Sequence, residues 1–225
     1  MRVWITRTLP EASATAQRLD SRGHAAIVAP VLEARPVAGA RAALDGVDAI
    51  AFTSGHAISA FAALTPVRSI PVFTVGDATA SLARAAGFAD VRSADGNAET
   101  LAELIAREQR TGVLVLHPTA REPAADLTGL LAQRGVQATP LTVYETVPTE
   151  LAAPPGDAEA VLVHSARAAA RVATLIESAG RLGLEAYAIS RAAAQPLVAL
   201  GLARLVAAPF PNEAALLDLL PSGEE

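Results

Sequence analysis

The chain is 225 residues long and 52% hydrophobic, with a formal net charge of −5, no cysteine, and arginine as the sole source of its 18 basic side chains. Apolar content of this order supplies buried cores and argues against disorder. The missing residue types exclude disulfides, thiolate metal sites, a cysteine nucleophile, Schiff-base chemistry and a Walker-type lysine, while the acidic balance argues against general nucleic-acid binding.

No apolar stretch approaches the roughly 18–20 residues of a membrane span. The Val3-Trp4-Ile5 run is cut at Thr6-Arg7, too early for a signal peptide. A soluble, cytoplasmic protein is expected, and any anionic ligand would be held by local arginines and backbone N–H groups.

Short apolar runs alternate with Ala- and Leu-rich amphipathic stretches, the βαβα signature of parallel sheets. The first strand is predicted over Val3–Ile5. Arg7 in the turn after it can clamp a carboxylate, although a surface arginine would look the same. A helix over Glu11–Ser21 and a strand over Ala26–Ala29 follow, with Gly23 placed as a helix C-terminal cap. Glu33–Gly46, rich in Pro and Gly, is expected to be irregular. Ala49–Phe52 reads as a strand, and Thr53-Ser54-Gly55-His56 as the turn into a helix over His56–Leu64. Thr53 and Ser54 are ordinary capping types, and equally a hydroxyl and free amides able to face an anion. The strand Val72–Val75 leads through Gly76-Asp77-Ala78-Thr79 into a helix over Ala78–Ala86, capped at Gly87. Gly76 would let a ligand approach the backbone closely, but the motif is no GxGxxG.

A strand over Asp90–Arg92 and a helix over Ala98–Glu108 come next, and residues 108–112 read as a short helix-to-strand turn. The strand Val113–Leu116 precedes Thr119-Ala120-Arg121, where Arg121 is expected to open a helix over Pro123–Arg134. Its charge there opposes the helix dipole, which an anion would relieve. The strand Ala138–Leu141 runs on to Tyr144, one of only two tyrosines, which either packs between lobes or donates a proton. Glu145–Asp157 is again irregular. Strands over Ala160–Val163, Ala186–Ile189 and Arg204–Val206 then alternate with helices over Arg167–Glu177, Ala192–Leu200 and Glu213–Leu220, with Ser165 and Ser190 in the turns after the first two strands. Gly135 and Gly201 sit at helix ends. His24, His56, His117 and His164 lack metal-ligand spacing; His117 and His164 each follow an apolar run, where either could line a cleft, but read better as ordinary strand-end histidines. There is no Ser–His–acid or paired-carboxylate signature, so an enzyme built on this chain would work by positioning and by amide and Arg contacts.

The chain is written twice. Leu19-Asp20-Ser21-Arg22-Gly23 returns as Leu131-Ala132-Gln133-Arg134-Gly135, Phe52-Thr53-Ser54 as Val163-His164-Ser165, and Asn97-Ala98-Glu99-Thr100-Leu101 as Asn212-Glu213-Ala214-Ala215-Leu216, at offsets of 112, 111 and 115 residues. A period this long marks a duplicated α/β unit rather than a solenoid repeat. The irregular segments fall inside each repeat, so the lobe boundaries are placed there. The expected fold is α/β: two similar flavodoxin-like lobes with parallel sheets, joined by a two-stranded hinge. One lobe is discontinuous, 1–33 and 150–225; the other is continuous, 40–141; 34–39 and 142–149 connect them. A small-molecule site would lie in a cleft between the lobes.

The order and spacing of several short motifs resemble the uroporphyrinogen-III synthase family over nearly the whole chain. The motifs are Val3-Trp4-Ile5-Thr6-Arg7, Phe52-Thr53-Ser54, Val75-Gly76-Asp77-Ala78-Thr79-Ala80, Gly96-Asn97-Ala98-Glu99-Thr100-Leu101-Ala102, Val143-Tyr144-Glu145-Thr146 and Pro211-Asn212-Glu213-Ala214. The resemblance implies a cofactor-free lyase of tetrapyrrole and haem biosynthesis that closes hydroxymethylbilane to uroporphyrinogen III, with loss of water and inversion of ring D. In the reaction so implied, hydroxide leaves ring A to give an azafulvene cation. The substituted carbon of ring D attacks to form a spiro intermediate, which fragments and recloses with ring D turned over. Unaided, the bilane closes to the type I isomer. The implied substrate carries eight carboxylates. Tyr144 becomes the candidate proton donor, and Arg7, Thr53, Ser54, Gly76, Thr79, Arg121, Ser165 and Ser190 become candidate substrate contacts. A hinge that moves and the absence of an obvious spare apolar helix face point to a monomer; a transient contact with the preceding pathway enzyme is expected, and no nucleic-acid or membrane partner. The second copy departs from the family pattern at Ile189-Ser190-Arg191-Ala192-Ala193-Ala194, where hydroxyl residues are usual. That departure sets a second expectation beside the first, a catalytically degenerate tetrapyrrole- or small-molecule-binding regulatory module.

Overall fold

The computed structural model describes residues 1–9, 11–109 and 112–221, so the predicted 108–112 turn lies partly outside the described residues. In chain order the elements begin β1 (Arg2–Ile5), α1 (Glu11–Asp20), β2 (Ala25–Val28), β3 (Leu32–Pro36), β4 (Ala49–Phe52), α2 (Gly55–Leu64), β5 (Val72–Thr74), α3 (Asp77–Ala85), β6 (Val91–Ser93) and α4 (Ala98–Glu108). They continue with β7 (Leu114–Ala120), α5 (Leu127–Ala132), β8 (Gln137–Pro148), β9 (Ala160–Val163), α6 (Ala166–Ala179) and β10 (Glu185–Ala188). α7 (Arg191–Ala194), a 3-10 turn over Gln195–Leu200, β11 (Arg204–Ala207) and α8 (Glu213–Leu217) complete the chain. Two compact units emerge: Met1–Glu33 with Val147–Glu225, and Ala34–Thr146.

In the first unit the sheet order is β11-β10-β9-β1-β2, all neighbours parallel. Counted along the chain this is 2-1-3-4-5, the flavodoxin order. Its three central strands, β1, β9 and β10, are buried on both faces, as parallel strands between helices must be. Trp4, Val161 and Val163 pack with α6 and α7 on one side; Val3, Ile5 and Leu162 pack with α1 and α8 on the other. Trp4 is fully buried, and its indole N–H donates to the Ala29 carbonyl at 2.7 Å. Gly180 and Gly201, both at φ 64°, end α6 and the 3-10 turn in the left-handed conformation that glycine tolerates best.

The second unit carries the same arrangement in permuted form. Its sheet runs β6-β5-β4-β7-β8, again with parallel neighbours, and β3 adds to the far edge of β8. Counted from β4, the parallel part is 3-2-1-4-5. The permutation follows from the duplication, since β4 to α4 repeats as β9 to α8 while β1-α1-β2 repeats as β7-α5-β8. All four residues of β4 are buried. Ile50 and Phe52 face α2 and α3; Ala49 and Ala51 face α4 and α5. Phe52 meets Phe61 and Phe88 edge-on at 5.7 and 6.0 Å.

Four predicted elements are corrected. Glu33–Gly46 is not wholly irregular, because Leu32–Pro36 forms β3. Val37 N–H donates to the Val143 carbonyl and Thr149 N–H to the Val31 carbonyl, an antiparallel ladder with β8. β8 itself extends to Pro148, well past the predicted Leu141. The helix predicted over Pro123–Arg134 starts only at Leu127, because Asp126 caps it by accepting the Gly129 N–H. The one predicted over Ala192–Leu200 changes to a 3-10 turn after Ala194, because Pro196 supplies no N–H to an α-helical ladder.

Arg68 ties two helix ends together. Its guanidinium donates to the carbonyls of Ala62 at the end of α2 (3.0 Å), Thr65 (2.7 Å), Val67 (2.8 Å) and Ala86 just past α3 (2.8 Å), and its Cζ lies 4.9 Å from the centre of the Phe88 ring. Arg68→Met should lower the unfolding free energy by roughly 2–4 kcal/mol in urea titrations, since several carbonyls lose a charged donor at once. Arg68→Lys should restore less than half, because an ammonium cannot fork to all four acceptors; full restoration would show that charge alone suffices.

Candidate functional site

β4 and β7 are neighbours whose following helices leave to opposite faces of the sheet: α2 packs with Ile50 and Phe52, and α5 with Ala49 and Ala51. Such a divergence opens a crevice beyond the carboxyl ends of the strands, the usual ligand position in open α/β sheets. A cavity of about 390 Å³ lies there, within the range of small-molecule sites. It is lined by Thr53 and Ser54 after β4, Val75 after β5, Ala98 at the start of α4, Thr119 and Ala120 at the end of β7, the loop Glu122–Ala125, and Tyr144 and Thr146 of β8.

Tyr144 enters this cavity because β8 carries a bulge. The β7–β8 register runs Leu114↔Gln137 to Thr119↔Thr142 and then jumps to Ala120↔Tyr144, leaving Val143 as an extra residue. Strict alternation would send Val143 and Tyr144 to opposite faces. Instead both are buried in the same cluster with Leu116 and Ala120. Bulges re-aim side chains in this way beside functional sites. Arg121 N–H donates to the Tyr144 carbonyl at 2.9 Å beyond the bulge, and the His56 ring lies 5.8 Å from the Tyr144 ring, centre to centre.

Thr53 Oγ1 lies 3.4 Å from Nε2 of His117, and Ser54 Oγ accepts the His56 N–H at 3.2 Å as the N-cap of α2. His117 is 2% exposed on β7. Burial drives its pKa down to about 4 against a smaller opposing pull from the Asp126 carboxylate, so the ring is neutral at physiological pH. Among the described residues no group of three or more His, Cys, Asp or Glu is arranged to hold a metal ion.

The other predicted contacts fall outside this cavity. Arg121 does not open a helix; it follows β7 in a bend, its side chain is 57% exposed, and its Nε donates to Glu145 at 2.8 Å. Gly76 caps α3 at φ −163°, and a Cβ built there would meet nothing within 4 Å. Thr79 is buried within α3.

In the first unit, Arg7 Nη1 lies 3.4 Å from Glu213 and 3.5 Å from Thr15. Glu213, in the first turn of α8, also accepts from Thr15 and Arg18. Ser165 and Ser190 act as N-caps, accepting the N–H of Ala168 and Ala193 at 3.1 and 3.2 Å. At the end of β9, His164 has both ring nitrogens buried without a hydrogen-bond partner in the protein. Its pKa falls to about 4, chiefly through burial and then through Arg7, with Glu213 opposing.

Of the predicted set, the cavity therefore gathers Thr53, Ser54 and Tyr144. Sequence reasoning missed Thr119, the Glu122–Ala125 loop and Thr146 as lining, and assigned His117 no role. The signal for Thr119 was its place at the end of an apolar run beside the one ending at Phe52. For the loop it was the Pro123-Ala124-Ala125-Asp126 sequence, in which Asp126 rather than Pro123 marks the helix start.

The family model described as uroporphyrinogen-III synthase HemD matches residues 13–218. The chain is similar in structure to uroporphyrinogen-III synthetase from Helicobacter pylori, with 18% identity, 97% of this chain and 96% of that one covered, and a TM-score of 0.67. It is also similar to a mutant uroporphyrinogen III synthase from the extremely thermophilic bacterium Thermus thermophilus, with 20% identity, 91% and 92% covered, and a TM-score of 0.50. At these identities the likeness shows the fold. No curated protein sequence matches significantly. The family match spans most of the chain, and the chain belongs to the uroporphyrinogen-III synthase family, cyclising lyases of haem biosynthesis for which the family implies hydroxymethylbilane as substrate and uroporphyrinogen III as product.

His117 and His164, at the ends of apolar strand runs, set an acid limit to the fold. Each is neutral when folded, with a pKa of about 4, and titrates near 6.5 once unfolded. Between those values the unfolded chain binds more protons, so stability is full above pH 6.5 and falls as the pH drops toward 4. His164→Gln should flatten the fall of Tm over this window relative to the parent chain. An unchanged slope would show that His164 does not contribute to it.

Proposed function

We propose that this member of the family closes hydroxymethylbilane at the cavity beyond β4 and β7, with Tyr144 as the acid that protonates the departing ring A hydroxyl. The bulge at Val143 is the observation that carries the assignment, since it supports a phenol beside the hydroxyls of Thr53, Ser54 and Thr119 in a cavity whose one other ionisable lining residue is Glu122. In this reading Tyr144 gives its proton as the C–O bond breaks, and water leaves with the azafulvenium forming on ring A. The substituted carbon of ring D bonds to that centre, and the spiro intermediate fragments. Ring D recloses through its free α-carbon, whose proton returns to the Tyr144 phenolate, so one water is lost overall and the enzyme is regenerated.

Reactivity resides largely in the substrate, because the bilane also closes unaided. The hydroxyls of Thr53, Ser54 and Thr119 fix which carbon of ring D meets the cation, and their contribution is orientation. Arg7, Ser165 and Ser190 of the first unit, with Gly76, Thr79 and Arg121 of the second, remain proposed contacts for the carboxylate arms. Family membership supports a working enzyme over the degenerate binding module. The same reading makes the protein a cytoplasmic monomer that meets the preceding pathway enzyme transiently and binds neither nucleic acid nor membrane. Its net charge of −5 supports the part of this that concerns nucleic acid.

The test generates hydroxymethylbilane in situ, adds the protein, oxidises the products and separates the uroporphyrin isomers. Predominantly type III product, rising with protein concentration, is expected; type I alone, as without protein, would contradict the assignment. Tyr144→Phe should cost roughly 10²–10⁴ in kcat if the phenol is the acid. A loss below tenfold would reduce Tyr144 to a packing residue.

A further inference from the structure

His117 takes no part in the reaction described above and does not line the cavity, yet it sits directly behind it. It lies on β7 at 2% exposure, and β7 is the strand beside β4. Thr53, the first residue beyond β4, points its hydroxyl toward the ring, with Oγ1 3.4 Å from Nε2. A leucine at the same place on β7 would bury more cheaply, because an imidazole gives up its hydration and regains it only through partners inside the protein. Thr53, in turn, carries a hydroxyl that rotates unless something holds it. The charged group that bears on the ring from the neighbouring elements is Asp126, the N-cap of α5, whose carboxylate is engaged by the Gly129 N–H.

We propose that His117 is a positioning residue that fixes the Thr53 hydroxyl, so that Thr53 presents a single hydrogen-bonding face to the tetrapyrrole in the cavity. The assignment rests on the functional reading of that cavity given above. A neutral imidazole has one N–H and one lone pair, so it holds Thr53 by donating or by accepting, and in either tautomer removes the choice from the hydroxyl. Its low pKa keeps it out of proton transfer near neutrality. Its contribution is pre-organisation, which lowers the ordering cost of binding and of ring D closure. A ring that acts through Thr53 has no effect of its own once the Thr53 hydroxyl is gone.

The test is a double-mutant cycle read in kcat/KM for type III product, with Tm measured on every variant. His117→Leu should lower kcat/KM about tenfold, the scale of one hydrogen bond. The same change in a Thr53→Val background should cost less than about threefold, because the group it positions is absent. His117→Gln, whose amide reaches the Nε2 position, should recover most of the loss; His117→Asn, polar but too short, should not. If the leucine variant fails to fold, His117→Asn takes its place in the cycle. Equal losses with and without the Thr53 hydroxyl, or losses that follow Tm across the variants, would overturn the proposal and leave His117 a structural residue. That result differs from failure of the underlying reading, in which the parent protein itself would give only type I product.

Discussion

The divergence at β4 and β7 is the constraint on which the rest of the site depends. Parallel strands need cover on both faces, and β4 and β7 obtain it from helices that leave in opposite directions. The backbone amides and first turn residues of both connections therefore face one crevice, where Thr53, Ser54 and Thr119 are found. The first unit repeats the device between β1 and β9, ending in Thr6-Arg7 and His164-Ser165. Duplication accounts for the likeness, and the permuted strand order, 2-1-3-4-5 in one unit and 3-2-1-4-5 in the other, accounts for its being hard to see from either half alone.

The chemistry offered is mild, and that agrees with a substrate that reacts unaided. Two arginines nominated for anion binding are already engaged by carboxylates, Arg7 by Glu213 and Arg121 by Glu145. His117 and His164 are neutral. Beside Glu122, the second unit places in its cavity hydroxyls whose directions are set by neighbours: Ser54 by the α2 amide it caps, Thr53 by His117, and Tyr144 by a bulge. Selecting one of two ring closures calls for an energy difference of only a few kcal/mol between competing transition states, which fixed geometry can supply without a strong acid–base pair.

Much of the fold was legible because its local signals agree. Ala49–Phe52 and Ala160–Val163 were predicted to the residue, being apolar runs bounded by turn residues. The Asn97–Thr100 capping box set the start of α4. What failed depended on distant partners. Leu32–Pro36 has Glu33 and Arg35 alternating with apolar positions and ends in a proline, tolerable because β3 is an edge strand. Glu145–Asp157 reads as irregular from its Pro and Gly content, yet β8 runs on to Pro148 because its far end pairs with β3. Tyr144 was legible as a residue type, but the bulge that aims it is a mismatch between two strands, which no single stretch of sequence records. His117 was read as an ordinary strand-end histidine because its meaning lies in Thr53, 64 residues away.

In the proposed function the tetrapyrrole is held at the carboxyl ends of β4 and β7. Titrating uroporphyrin III, the oxidised product, into isotopically labelled protein and following backbone amide resonances tests it most directly. The largest shifts should fall on Thr53, Ser54, Thr119 and Tyr144 within the second unit. Shifts confined to the opposite end of that sheet, around Leu114, Gly135 and Val136, would contradict it.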